Sequence, residues 1–156
     1  MYQFKAEHLL PISLEDAWKF FSSPTNLPVI TPPSLDFKIL TPNLPAETYA
    51  GMIIDYKVRP LLGIQMHWKT EITAVNKNES FTDRQLKGPY KVWEHTHYFK
   101  KVEGGVLMTD IVNYELPLGI LGKLAHLLIV KKEIENIFSY RKEKLNELFN
   151  SKNLTK

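Results

Sequence analysis

Cysteine is absent from the 156 residues of this chain, which excludes disulfide bonds and thiolate chemistry. The absence fits a reducing compartment, and we expect a cytoplasmic protein. No apolar run approaches the roughly 18–20 residues that span a bilayer. The N-terminus also lacks a basic segment followed by an apolar run. We therefore expect neither a transmembrane segment nor a signal peptide.

Charge of one sign is not concentrated anywhere in the chain. Lys and Arg number 20 against 17 Asp and Glu, the net charge is +3, and the lysines are scattered. Nucleic-acid-binding proteins usually carry a focused basic patch, so we expect no nucleic-acid partner. The G-x-S-x-G elbow, the P-loop and the dinucleotide glycine fingerprint are all missing. Nucleophilic catalysis therefore has no candidate residue, and we assign no cofactor.

The composition that remains is that of an ordinary globular protein, with 44% hydrophobic and 24% charged residues. A chain of this length favours one domain with one sizeable core. We predict a single ligand-binding domain over residues 1–150, followed by a frayed polar tail over residues 151–156. No internal repeat or low-complexity tract divides it.

Alternating apolar residues predict a mostly antiparallel sheet of about seven strands. After the first strand, Ser13 is a good helix N-cap, and a helix is expected to about Ser23. Six of the ten prolines then fall within residues 24–45, which favours rigid loop structure or a stiff lid over a cavity. A second short helix is predicted near residues 25–30. Strands are predicted at residues 2–10, 36–40, 51–59, 64–75 and 106–116, and two more within residues 81–99.

Residues 120–149 predict one long C-terminal helix. Its apolar stripe comprises Leu121, Leu124, Leu128, Ile134, Ile137, Phe138, Leu145 and Leu148. The first half is apolar nearly all round, which we interpret as closing a cavity, with transient contact with a membrane surface as the alternative. Lys131, Lys132 and Arg141 are expected to be solvated or to extend along the helix surface. Strands joined by hairpins with one long helix left over indicate an α+β fold, in which a curved sheet wraps around the helix.

The stretch from residue 81 to residue 99 carries the most informative pattern. It predicts two strands joined by a turn at Gly88-Pro89. Because strand side chains alternate between faces, one face carries polar and aromatic residues together. That face comprises Phe81, Asp83, Gln85, Trp93, His95, His97 and Phe99. A buried polar group without a partner costs about 1–3 kcal/mol, so a strand that only filled a core would not carry these residues. His8 and His67 fall on faces expected to be exposed.

In the order of its elements the chain resembles the helix-grip fold of the SRPBCC superfamily, which includes START lipid-transfer domains, the birch-pollen allergen family and polyketide cyclases. The residues that carry the resemblance are Phe81, Asp83, Gln85, Gly88-Pro89-Tyr90, Trp93, His95, His97, Phe99, Asp110, Tyr114 and Pro117. They look like the ligand-binding SRPBCC group, some members of which are fused to sugar-nucleotide epimerase-like domains and labelled cell-division inhibitors. The resemblance implies a deep apolar cavity between the sheet and the long helix.

His95 and His97 should meet Asp83 and Asp110 inside the sheet, and three interpretations of this group stay open. It is a satisfied hydrogen-bond network that fixes the sheet register, a polar anchor for a ligand, or a metal site or general acid/base pair. An imidazole beside a buried carboxylate is expected to have a raised pKa. We assign neither a metal nor a catalytic residue here, although these four residues are the candidates.

We predict that the chain binds a small hydrophobic or amphipathic molecule between sheet and helix. Tyr90 would lie at the pocket rim. The apolar wall would comprise Tyr56, Trp68, Phe81, Trp93, Leu121, Leu124 and Leu128. The polar end would comprise Asp83, Gln85, His95, His97, Asp110 and Tyr114. The alternatives are a cyclase- or dehydratase-like enzyme that uses His95 or His97, and a regulatory protein-interaction module whose cavity is filled by side chains.

Overall fold

A computed structural model describes residues 1–61, 63–117, 119, 124 and 129–150 of the chain, and it confirms the predicted α+β fold. The strands are β1 Tyr2–Leu10, β2 Lys38–Ile39, β3 Ile53–Leu61, β4 Ile64–Asn76, β5 Ser80–Lys87, β6 Val92–Val102 and β7 Gly105–Glu115. The α-helices are α1 Leu14–Phe21 and α2 Lys131–Asn150. Two 3₁₀ helices span Pro24–Ile30 and Pro33–Leu35. No described helix is both long and apolar enough to cross a membrane.

The seven strands form one antiparallel sheet in the order β1-β7-β6-β5-β4-β3-β2. The hairpins β3–β4, β4–β5, β5–β6 and β6–β7 join neighbours, and β1 pairs with β7. The turn between β6 and β7 places Gly104 at a φ of 84°, a left-handed conformation that glycine adopts without strain. The curved sheet packs its inner face against α1 and α2, as the alternating pattern predicted.

Helix α1 begins where the sequence indicates. The Ser13 hydroxyl accepts a hydrogen bond from the backbone N–H of Asp16 at 3.0 Å, which caps the helix. The helix ends at Phe21, slightly before the predicted Ser23. Its buried face carries Ala17 and Trp18 into a cluster with strands β5–β7 and the end of α2.

The proline-rich segment confirms one prediction and corrects another. The predicted short helix near residues 25–30 is present as a 3₁₀ helix, since Pro28 inside it has no N–H with which to continue an α-helical ladder. The predicted strand over residues 36–40 is reduced to the two residues of β2, and it cannot begin at Asp36 because that residue adopts a left-handed φ of 43°. Strand β3 runs through Pro60 to Leu61, two residues beyond its predicted end at residue 59.

The C-terminal helix is described from Lys131 onward, and most of its predicted first half lies outside the described residues. Its buried side chains follow a helical stripe of Ile134, Phe138, Arg141, Leu145 and Phe149. Lys131 and Lys132 are exposed, as predicted. Arg141 is not solvated, and this prediction was wrong: only 8% of the residue is exposed. Its position on the buried face decides the chemistry of the site described next.

Candidate functional site

A cavity of about 190 Å³ lies between the inner face of the sheet, the proline-rich segment and α2. Most of its wall is aromatic or aliphatic. Eight of the residues predicted to bind a ligand line it: Tyr56, Trp68, Phe81, Asp83, Tyr90, Trp93, His95 and His97. Seven of them come from β3 to β6, whose alternation turns these side chains inward, and Tyr90 comes from the turn between β5 and β6.

Four other predicted residues do not line this cavity. Asp110 is buried behind the two histidines, and Tyr114 packs against Trp93 and Tyr90 in an aromatic cluster. Gln85 points inward but is held by the backbone of Tyr90. Leu124 is 54% exposed. Predicted residues Leu121 and Leu128 lie outside the described residues.

Further lining residues come from two regions to which the sequence analysis assigned no site residue. The proline-rich segment contributes Pro24, Leu27, Ile30, Leu35, Phe37 and Ile39. Helix α2 contributes Ile134, Ile137, Phe138 and Arg141. The segment therefore covers the cavity, which was one of the two interpretations of its prolines. The signal for Arg141 was present in the sequence, since it falls on the same helical face as Phe138 and Leu145.

The turn between β5 and β6 positions Tyr90 through Gln85. The Gln85 amide donates from Nε2 to the carbonyl oxygen of Tyr90 at 2.7 Å, and the Tyr90 N–H donates to Gln85 Oε1 at 3.3 Å. A Cβ at Gly88 would lie 2.2 Å from Gln85 Oε1, so only glycine leaves room for this clamp. The Tyr90 ring then lies 4.7 Å from that of Trp93 and 5.6 Å from that of Trp68, and the three form one aromatic wall.

Two imidazoles and two carboxylates meet inside the sheet in a crossed arrangement. The register places Asp83 opposite His95 and Asp110 opposite His97. The hydrogen bonds run diagonally instead: His95 Nε2 donates to Asp110 Oδ1 at 2.8 Å, and His97 Nε2 donates to Asp83 Oδ2 at 3.2 Å. The ring centroids of the two histidines are 3.8 Å apart. Each ring thus lies between the two acids.

Arg141 completes this group from the helix. Its Nη1 donates to Asp110 Oδ1 at 3.3 Å, and its guanidinium lies 4.9 Å from the centroid of the Phe138 ring. The Nε atom is buried and makes no hydrogen bond to any described residue. Two carboxylates against one guanidinium leave one negative charge when both imidazoles are neutral. We call Asp83, His95, His97, Asp110 and Arg141 the inner cluster.

The surroundings shift the pKa values of the inner cluster in different directions. Burial alone would raise the pKa of Asp110, but Arg141 and the two imidazoles hold that pKa well below its ordinary value. Burial and the neighbouring His97 lower the pKa of His95. Burial opposes protonation of His97 too, yet hydrogen bonding and the charges of Asp110 and Asp83 raise its pKa. The expectation of a raised imidazole pKa therefore holds for His97 and was wrong for His95, because burial and then the neighbouring imidazole lower the pKa of His95.

This architecture, a curved antiparallel sheet with short helices after the first strand and a long C-terminal helix, is the helix-grip fold of Bet v 1-like and SRPBCC-like proteins. Protein Ms6760 from Mycobacterium smegmatis has the same fold, with a TM-score of 0.68 at 17% identity over 96% of this chain and 92% of that one. The major latex-like protein 151 from Panax ginseng matches with a TM-score of 0.57 at 18% identity, over 86% and 95% of the two chains.

A third similar structure is the nucleoside-diphosphate sugar epimerase from Corynebacterium glutamicum. It matches with a TM-score of 0.60 at 23% identity, over 92% of this chain but only 28% of that one. A helix-grip unit therefore forms part of a longer chain there, as the sequence resemblance implied. No protein-family model matches this chain, and no curated protein matches it. These likenesses show the fold and leave function to be argued from the site.

Proposed function

We propose that this protein binds a small hydrophobic or amphipathic molecule in the cavity between the sheet and α2. The observation that carries the proposal is the cavity itself, with a mostly apolar wall and a few convergent polar groups. Ligand sites in proteins have this composition, in which the apolar wall supplies affinity and the polar groups select orientation. Asp83, His95 and His97 supply polar groups on this wall, and Arg141 lines it beside them.

The volume limits the size of the molecule. An apolar cavity of about 150 Å³ accepts one benzene ring, so about 190 Å³ suits a compact molecule of one or two rings. Burying about 200 Å² of apolar ligand surface would contribute about 5 kcal/mol. Micromolar affinity requires about 8 kcal/mol after the costs of association. Contacts with the polar groups must therefore supply part of the affinity.

A cavity-filling substitution tests this proposal without removing any polar group. Ile137 lines the cavity from α2, and Ile137→Trp would occupy part of its volume. Leu86→Trp is the matched control, because Leu86 is 47% exposed and does not line the cavity. The probe is the fluorescent two-ring dye 2-naphthol. We expect saturable binding of one dye per wild-type chain, an affinity at least about 10-fold weaker for Ile137→Trp, and no change for Leu86→Trp.

Two results would overturn the proposal. One is a wild-type chain that binds no dye and that native mass spectrometry finds without a co-purified small molecule. The other is an equal dye affinity in Ile137→Trp and wild type, with circular dichroism showing both folded. A released apolar molecule in the denaturing spectrum would support the proposal and would give the chemical class of the natural ligand.

An acid/base enzyme is the second candidate, and the raised pKa of the cavity-lining His97 favours it. In such an enzyme His97 would give a proton to a bound molecule, and Asp83 would orient the ring. A carrier and an enzyme respond differently to loss of this imidazole. His97→Ala in an enzyme would abolish turnover and leave affinity largely intact, whereas in a carrier it would lower affinity. The third alternative, a cavity filled by side chains, fits poorly with about 190 Å³ of empty space.

A further inference from the structure

Three potential metal ligands converge on the cavity side of the inner cluster. Asp83, His95 and His97 each offer one ligand atom, and these atoms all lie within 4.8 Å of one another. Oδ2 of Asp83 is 3.2 Å from His97 Nε2 and 3.7 Å from His95 Nδ1. Two ligand atoms bound to one tetrahedral zinc ion are separated by about 3.3 Å. Two of the three separations are therefore close to those of a metal centre, and the third is no more than 4.8 Å.

The hydrogen bonds of the inner cluster leave one contact in which two acceptor atoms face each other. Because the neutral His95 ring donates from Nε2 to Asp110, its Nδ1 carries a lone pair that faces the Asp83 carboxylate. Two acceptors thus face each other at 3.7 Å, with no proton between them. The His97–Asp83 bond of 3.2 Å is also longer than the roughly 2.7–2.9 Å of a tight charge-assisted bond. A cation between the three groups would satisfy both contacts.

The far side of the His95 imidazole is arranged as the outer shell of a metal site usually is. His95 Nε2 donates to Oδ1 of Asp110 at 2.8 Å, and His97 Nδ1 lies 2.9 Å from the same oxygen without making a hydrogen bond to it. Histidines that bind metals usually turn their other nitrogen toward a carboxylate, which fixes the tautomer and the ring orientation. Arg141 holds that carboxylate from behind at 3.3 Å. We propose that Asp83, His95 and His97 bind one divalent transition-metal ion, such as Zn²⁺, against Asp110 and Arg141.

Charge and access both agree with this site. The inner cluster has one surplus negative charge when both imidazoles are neutral, so a divalent ion meets a net attraction. Asp83, His95 and His97 all line the cavity, whereas Asp110 does not, so an ion can reach the Asp83 side. Three protein ligands leave a fourth tetrahedral position open, as in metal sites that bind an exchangeable water or substrate. A network that only fixed the sheet register would have no need of ligand atoms on the cavity wall.

The test measures metal binding by the chain without an affinity tag. The protein is first stripped of metal with EDTA and then freed of the chelator. Isothermal titration with Zn²⁺ measures stoichiometry and affinity, and the visible absorption of added Co²⁺ reports the coordination geometry. We expect one Zn²⁺ per chain and a tetrahedral Co²⁺ spectrum. Asp83→Ala should weaken Zn²⁺ binding by about 100-fold or more, and Asp110→Asn by about 10–100-fold.

His67→Ala is the matched control. His67 Nε2 also lies beside a carboxylate, 2.6 Å from Asp55 Oδ1, but 38% of its side chain is exposed and it does not line the cavity. Its Zn²⁺ affinity should equal that of wild type. A wild-type chain without stoichiometric Zn²⁺ binding would overturn the proposal, as would Asp83→Ala that is folded by circular dichroism and binds Zn²⁺ as wild type does. Neither result touches the dye-binding test of the cavity, which involves no metal.

Discussion

Two His–Asp contacts on the same sheet differ in environment more than in geometry. His95 Nε2 lies 2.8 Å from Asp110 Oδ1 in the inner cluster, and His67 Nε2 lies 2.6 Å from Asp55 Oδ1 on the outer face. The side chains of the inner pair are 7% and 6% exposed, against 38% and 26% for the outer pair. The outer contact is therefore the shorter of the two, but loss of the inner contact is expected to cost more stability because the inner pair is buried.

Each pair also has a cation nearby, and the two cations differ in their access to solvent. Lys69 Nζ lies 3.6 Å from Asp55 Oδ1 on the outer face, where water and salt screen both charges. Arg141 reaches Asp110 where water is excluded, so neither charge has an alternative partner in solvent. Removing one member of the inner cluster therefore leaves a buried charge uncompensated, and removing one member of the outer group does not.

The largest expected effect is that of Asp110→Ala. It leaves the Arg141 guanidinium and the His95 Nε2 donor buried without their shared acceptor, and we expect a loss of about 3–5 kcal/mol in the free energy of unfolding. Asp55→Ala on the outer face should cost less than about 1 kcal/mol. Urea unfolding at neutral pH measures both. Equal losses in the two variants would remove the distinction between the inner and outer pairs.

Arg141→Leu tests whether Arg141 and Asp110 are energetically coupled. Alone it should be strongly destabilising, because Asp110 loses its cation. Combined with Asp110→Ala it should cost less than the sum of the single losses, by about 1–3 kcal/mol, since the charges that each single variant leaves unpaired are then both gone. Lys142→Leu, one position along the same helix and exposed, is the control and should change the free energy of unfolding little. Strict additivity of the two single losses would show that Arg141 and Asp110 do not stabilise each other.

A smaller effect is expected for the neutral hydrogen bonds on the two faces. Gln85→Ala removes both bonds of the clamp on Tyr90 and should cost about 1–2 kcal/mol. Gln3→Ala removes the exposed bond from Gln3 Nε2 to Asn113 Oδ1, 2.9 Å long, and should cost less than about 0.5 kcal/mol. Thermal unfolding of the two variants compares them directly, and a loss for Gln3→Ala as large as that for Gln85→Ala would contradict the account.

A small effect that depends on salt is expected for His67→Ala. The change in the free energy of unfolding should stay below about 1 kcal/mol, and it should shrink as NaCl is raised toward 1 M, where the screening length falls to about 3 Å. Urea titrations at low and high salt measure this dependence. A loss of several kcal/mol that does not change with salt concentration would mean that the outer pair is shielded from solvent as well as the inner one.

The sheet and the inward histidines could be predicted because both follow local alternation. His95, His97 and Asp83 lie at odd positions of two strands joined by a short turn, so one register places all three inside. Arg141 was missed because a charged residue on an amphipathic helix is usually solvated. Its spacing from Phe138 and Leu145 on one helical face was the contrary signal.

Other features depend on contacts that no local pattern encodes. Gln85 shares the inward face of β5 with Asp83, yet the backbone of Tyr90 captures its amide and keeps it from the cavity wall. The left-handed Asp36 shortens β2 to two residues, although the surrounding sequence reads as extended. The opposite pKa shifts of His95 and His97 depend on burial and on contacts with each other and with two carboxylates, which sequence spacing alone does not give.

The most direct test of the proposed cavity uses the three tryptophans of the chain. Trp68 and Trp93 line the cavity, and Trp18 lies outside the lining in the cluster around α1. A titration with 2-naphthol, followed in the indole region of a ¹H–¹⁵N correlation spectrum, therefore reports the place of binding. The account predicts that the indole signals of Trp68 and Trp93 shift to saturation while that of Trp18 stays in place. A spectrum in which Trp18 alone responds, or in which no indole signal moves, would contradict it.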